Sequence, residues 1–133
     1  MFIFGVQIFV IFILNVIKAE KAVFAMGCFW CGESAMEQVP GVISAQSGYC
    51  GGFVSNPTYR QVCSGNTGHL ESVEVEFDPR NITYDELLYY FWRNIDPTDS
   101  AGQFCDKGSS YKSAIFCTEQ QCPIAEKSLE SLK

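Results

Sequence analysis

Apolar and polar residues alternate along Leu70-Glu71-Ser72-Val73-Glu74-Val75-Glu76-Phe77. Successive side chains of a strand point to opposite faces. Val73, Val75 and Phe77 therefore share the core face, and Glu71 falls on that face with them. Ser72, Glu74 and Glu76 are expected on the wet face. An earlier apolar run, Ala22-Val23-Phe24-Ala25-Met26, reads as a buried strand, and Ser34 to Val39 suits a helix. Pro40-Gly41 breaks the chain before a further strand, Val42 to Tyr49. Glycine and turn residues make a loop of Cys50-Gly51-Gly52 through Asn56-Pro57. A short helix over Thr58 to Ser64 takes Thr58 as its cap, and Gly65-Asn66-Thr67-Gly68 turns the chain again.

After Asp78-Pro79-Arg80-Asn81, the segment Thr83-Tyr84-Asp85-Glu86 is a capping box opening a helix. Leu87, Leu88, Phe91 and Ile95 fall on one face at helical spacing. Tyr89, Tyr90 and Trp92 read as packing residues, and Asp96-Pro97 closes the helix. Thr98 to Ser110 shows no hydrophobic period and reads as loop. Tyr111 to Cys117 reads as a strand, and Thr118 is expected to cap a last helix that begins near Pro123. This order predicts two βαβ-type halves in one sheet with helices on one face. The fold class is α+β, a two-layer sandwich with a ferredoxin-like βαββαβ core and extended loops.

The 133 residues leave room for one domain with a real core. A net charge of −6, with no basic stripe, excludes nucleic acid as a partner. Met1 to Ile17 carry no charged side chain and are mostly Phe, Ile and Val. This stretch resembles a signal-peptide core with Ala19 at the cleavage point, and a short membrane anchor is the alternative. The expected division is a leader or anchor over 1–19 and a domain over 20–133. Either leader reading exports the domain, to a periplasmic, secreted or membrane-anchored location, where disulfides are permitted. Seven cysteines, an odd number, leave at least one thiol unpaired within a monomer.

That thiol chemistry centres on Gly27-Cys28-Phe29-Trp30-Cys31-Gly32-Glu33. Cys28 falls where a strand hands over to the first turn of a helix. The unpaired N–H groups and positive dipole end there favour an anion, and hence the thiolate that attacks electrophiles. Phe29 and Trp30 suggest an apolar wall beside the sulfur. Glu71, pointing inward, resists ionising and is a candidate proton donor near neutral pH.

The motifs Gly27-Cys28-Phe29-Trp30, Ser47-Gly48-Tyr49, Asn56-Pro57-Thr58-Tyr59-Arg60, Gly65-Asn66-Thr67-Gly68-His69-Leu70-Glu71, Gly102-Gln103 and Asp106-Lys107-Gly108-Ser109-Ser110-Tyr111 resemble the type A peptide methionine sulfoxide reductases. The likeness runs from about Ala22 to the end of the chain. It implies reduction of the S epimer of methionine sulfoxide, protein-bound or free, through a cysteine sulfenic acid. By position it implies Cys28 as nucleophile, Glu71 as acid, and Tyr59 and Tyr111 as hydroxyl donors to the sulfoxide oxygen. Phe29 and Trp30 correspond to the pocket for the substrate methyl, and Asp106 to an acid on the substrate side. His69 corresponds to a structural residue. The resemblance calls for no cofactor and no metal. It implies thioredoxin or a thioredoxin-like reductant as partner, and a monomer is expected.

Family members commonly run on beyond the position of Lys133, so a domain shortened at its C-terminus is expected. Cys31 lies at i+3 from Cys28, on the same helical face, and is the expected resolving thiol. Cys50, on the glycine loop, is next in line. Two other readings compete. One is a thioredoxin-like thiol–disulfide oxidoreductase using Cys28-x-x-Cys31. The other is a zinc-binding module, which needs four ligands where one Cys-x-x-Cys is present.

Overall fold

A computed structural model describes Val16 and residues 18–133. The leader or anchor expected over residues 1–19 therefore lies almost wholly outside the described residues.

Strand β1 (Glu20–Met26) is followed by α1 (Phe29–Glu37), β2 (Val42–Cys50), α2 (Tyr59–Cys63) and β3 (Leu70–Phe77). Helix α3 (Tyr84–Arg93), strands β4 (Gly102–Gln103) and β5 (Asp106–Lys107), strand β6 (Ser113–Phe116) and α4 (Cys122–Glu130) complete the chain. The main sheet has the order β2-β3-β1-β6. Each neighbouring pair is antiparallel. Strands β1 and β2, both antiparallel to β3, are thus parallel to each other, with α1 as their crossover. This is the expected ferredoxin-like arrangement.

The core lies between the sheet and the helices. Phe24, Val73, Val75 and Phe77 from the sheet meet Met36 of α1 and Leu87, Leu88 and Phe91 of α3, all almost fully buried. Rings of Phe24 and Phe91 stack at 5.0 Å. The predicted capping box forms at Thr83, which accepts from the Glu86 N–H, and the expected cap Thr58 accepts from the Gln61 N–H and also closes a capping box. Each supplies a partner to an otherwise unpaired first-turn N–H.

Five expectations change. Helix α1 starts at Phe29, so the aromatic pair belongs to its first turn. Ser72 is buried, because β3 lies between β1 and β2 and its neighbours across the ladders are Ala25 and Gly48; its hydroxyl donates to the Leu70 carbonyl at 3.0 Å. The segment predicted as loop over Thr98 to Ser110 contains the β4–β5 hairpin, and Tyr111 ends a 3₁₀ turn so that β6 begins only at Ser113. Helix α4 is capped at Gln121, and the Thr118 hydroxyl instead accepts from the Gln121 N–H in the turn before it.

Candidate active site

Cys28 is the N-cap residue of α1 and is half-buried. It is lifted into place by Gly27, whose φ of 88° favours glycine. A Cβ at Gly27 would stand 2.7 Å from the Cβ of Gln103, so the missing side chain lets the β4–β5 hairpin close over the turn. Gln103 is itself buried. Its amide accepts from the Asp96 N–H at 2.6 Å and donates to the Asp96 carbonyl at 2.8 Å, tying the hairpin to the end of the α3 segment.

The inward side chain of β3 reaches the same turn. Glu71 is only 2 % exposed, and its carboxyl accepts the Phe29 N–H at 3.0 Å. The first free amide of α1, one residue past Cys28, thus goes to Glu71. Burial pushes the Glu71 carboxyl up, the Phe29 N–H pulls it down, and the nearby Asp106 charge adds to the rise; the balance is upward. A second carboxylate braces the helix from outside: Glu33 accepts the Ser47 N–H at 2.6 Å and the Ser47 hydroxyl, holding α1 on β2.

Two tyrosines converge on Glu71 from distant segments. Tyr59 opens α2 and is half exposed; its hydroxyl is pushed up to about 12, first by hydrogen bonding to the Cys63 thiol, then by charge on Cys63, Tyr111 and Glu71. Tyr111 is half-buried, and burial raises its hydroxyl, helped by charge on Glu71, Cys63, Asp106 and Cys28. Both hydroxyls therefore keep their protons and remain donors at neutral pH. Tyr111 is the meeting point, within electrostatic reach of Cys28, Glu71 and Asp106.

Cys31 is exposed. Negative charge on Cys28 is the main cause holding its thiol up, followed by burial, a hydrogen bond to Cys28 and the Asp106 charge. A cleft of about 300 Å³ opens here, lined among others by Met26, Cys28, Cys31, Arg93, Cys105 and Asp106. The aromatic pair divides: Phe29 is buried against Tyr49 with ring centroids 5.6 Å apart, whereas Trp30 is 67 % exposed, 5.7 Å from Phe29.

His69 ties down the glycine loop: its Nδ1 accepts the Gly52 N–H at 3.1 Å, which leaves Nε2 to donate to the Val54 carbonyl at 2.7 Å. Cys50 is the last residue of β2, paired with Leu70, and not part of the glycine loop. Its neighbour Tyr49 packs on Phe29, so Cys50 points to the opposite face of the sheet. Cys117 and Cys122 form a disulfide, and the other five cysteines are free thiols. Among the described residues, no three His, Cys, Asp or Glu side chains gather closely enough to hold a metal ion. Cys63, Arg93 and Cys105 were not foreseen at the site. The i, i+4 spacing of Tyr59 and Cys63 on one short helix was the available signal for Cys63.

Fold and site together define an α+β protein of ferredoxin-like topology with a thiol at a helix start and a buried carboxyl beside it. A profile of the family described as peptide methionine sulfoxide reductase matches residues 20–133, and the chain belongs to that family. Peptide methionine sulfoxide reductase MsrA 2 of Caulobacter vibrioides is 58 % identical over 111 residues, a match covering 84 % of this chain and 57 % of that protein. The MsrA of Ligilactobacillus salivarius is 54 % identical, over 85 % of this chain and 66 % of its own length. The chain thus spans under two thirds of these curated relatives. Methionine sulfoxide reductase A of Corynebacterium diphtheriae superimposes with a TM-score of 0.82 at 38 % identity, covering 85 % of this chain and 55 % of that one. Reduced Mxr1 of Saccharomyces cerevisiae gives 0.81 at 31 % identity, over 86 % and 68 %.

Proposed function

We propose that this chain reduces the S epimer of methionine sulfoxide, free or within oxidised proteins, to methionine. The observation that carries the reading is the buried Glu71 carboxyl fixed to the Phe29 N–H, one residue from Cys28. A carboxyl raised by burial gives up its proton less readily than an exposed one. The Phe29 N–H engages one of its oxygens, which leaves the other free to serve as the donor.

The Cys28 thiolate attacks the partly positive sulfoxide sulfur. Glu71 delivers its proton to the oxygen, while the Tyr59 and Tyr111 hydroxyls stabilise the charge that develops there. Methionine leaves, and the oxygen stays on Cys28 as a sulfenic acid. The methyl group lies against Phe29 and Trp30 and the oxygen faces the donors, which selects one hand of the chiral sulfur. Asp106 bonds on the substrate side. Cys31 then attacks the sulfenic sulfur, water leaves, and a Cys28–Cys31 disulfide remains for thioredoxin or a similar dithiol to reduce.

An exported location belongs to the same proposal. The Cys117–Cys122 disulfide supports it, since such bonds persist in oxidising compartments. A thioredoxin-like exchange activity would account for the two sulfurs but would leave Glu71 and the tyrosines without work. The test is methionine release from separate S and R epimers by wild type and Cys28→Ser. Release from S alone, abolished by the substitution, supports the reading; equal use of both epimers overturns it.

A further inference from the structure

Three of the five free thiols border one cleft. Cys28 and Cys31 enter it from the start of α1, and Cys105 from the two-residue turn, Phe104-Cys105, of the β4–β5 hairpin. The hairpin is docked there rather than hanging free. Gly27 admits Gln103 against the turn that carries Cys28, and the Gln103 amide bonds secure the hairpin to Asp96. Phe104 at the turn has a φ of 50°, a left-handed conformation uncommon for a bulky residue. The turn so formed gives Cys105 a place on the cleft wall. Cys31 and Cys105 are both exposed, whereas Cys28 is half-buried.

The inference rests on the reductase reading above. Turnover leaves the nucleophile locked in a Cys28–Cys31 bond. The geometry points to Cys105 as the thiol that releases it. The Cys105 thiolate attacks the Cys31 sulfur; the Cys31–Cys105 bond forms as the Cys28–Cys31 bond breaks, and Cys28 departs with the electron pair as a thiolate. The Cys105 proton goes to solvent. One disulfide replaces another, so no outside oxidant or reductant enters the step.

Direction follows from exposure and charge. Cys31 is the accessible sulfur of the pair. Cys28 sits at the N-cap of α1, where the positive end of the helix faces the departing sulfur. Arg93 and Asp106 line the same cleft, so it carries a charge of each sign beside the three thiols. The exchange carries the oxidising equivalent from a half-buried sulfur to two exposed ones, where a reducing protein has access, and returns Cys28 to the substrate.

The test uses the full chain. Reduced wild type is mixed with one equivalent of methionine S-sulfoxide without reductant, quenched with an alkylating agent at intervals, and mapped by non-reducing peptide mass spectrometry. The expected course is an early Cys28–Cys31 bond giving way to Cys31–Cys105 as Cys28 becomes alkylatable again. Cys105→Ser is expected to stop at Cys28–Cys31 with Cys28 blocked throughout. Methionine released with Cys105 still fully alkylatable in wild type overturns the exchange alone. No methionine release overturns the reductase reading, and the exchange with it.

Discussion

The backbone N–H of Phe29 donates to the Glu71 carboxyl at 3.0 Å, so the residue that follows Cys28 in sequence holds that carboxyl in place. A glutamine at 71 keeps an acceptor for that N–H but has no proton to give. Glu71→Gln is therefore expected to fold and to lose about 10²–10⁴-fold in the rate of methionine release, the usual worth of positioned acid catalysis. Single-turnover assays with Cys28 reduced would measure this. A variant within a fewfold of wild type would remove Glu71 from the mechanism.

The same contact gives a pH signature in stability. The folded carboxyl sits above its ordinary value because burial opposes its charge. Below the unfolded carboxyl pKa of about 4.3, both states hold the proton and nothing is lost. As pH rises past that value, the unfolded chain ionises first and wild type loses stability until the folded group ionises too. Glu71→Gln escapes this loss. Its melting temperature relative to wild type should climb between pH 4 and pH 7, and a difference flat across that range would contradict the raised carboxyl.

Tyr59 is the first residue of a helix of only five, so its placement depends on the Thr58 cap. Removing the cap hydroxyl costs about 1 kcal/mol of helix stability. Thr58→Ala is expected to lower kcat/KM about fivefold, by the barrier equivalent of that cost. Thr58→Ser, which keeps the hydroxyl, should restore it. An unchanged kcat/KM in Thr58→Ala would show that Tyr59 holds its position without α2.

What could be read from the chain follows the range of the interaction. Glu71 was legible because parity on one strand places it among Val73, Val75 and Phe77, and the structure buries all four. Cys28 was legible because an apolar run ends at it and a helix begins beyond it. The β4–β5 hairpin was not, because two-residue strands carry no period; side-chain bonds from Gln103 and the space left by Gly27 hold it. Tyr59, on α2, and Tyr111, in the 3₁₀ turn before β6, come within electrostatic reach of each other only in the folded chain, which no local pattern expresses. Residue by residue, both would have passed as packing tyrosines without the family resemblance.

Gly27 illustrates the hidden part. At φ 88°, with a prospective Cβ only 2.7 Å from that of Gln103, Gly27→Ala meets both backbone strain and a clash against buried structure. The strain alone costs about 1–3 kcal/mol. The hairpin should be displaced first, before the sheet. Hydrogen exchange at the Asp96 amide, which donates to Gln103, is expected to accelerate more than at Val75 in the central strand. Equal acceleration at both would mean that Gly27 supports the whole fold rather than the hairpin.

Tyr84 presents the opposite case, a group the fold would be better without. It stacks on Phe24 inside the core, 6 % exposed, and its hydroxyl is buried with no hydrogen-bond partner. Burial alone pushes that hydroxyl up to about 12. An unsatisfied buried donor costs about 1–3 kcal/mol. Tyr84→Phe keeps the ring and removes the oxygen, so a gain of about 1 kcal/mol is expected, or roughly 3–5 °C in melting temperature for a domain of this size. Replacement by Leu would remove the ring contact as well, and that loss should outweigh the gain. A Phe variant less stable than wild type would mean that a water molecule bonds the hydroxyl in solution.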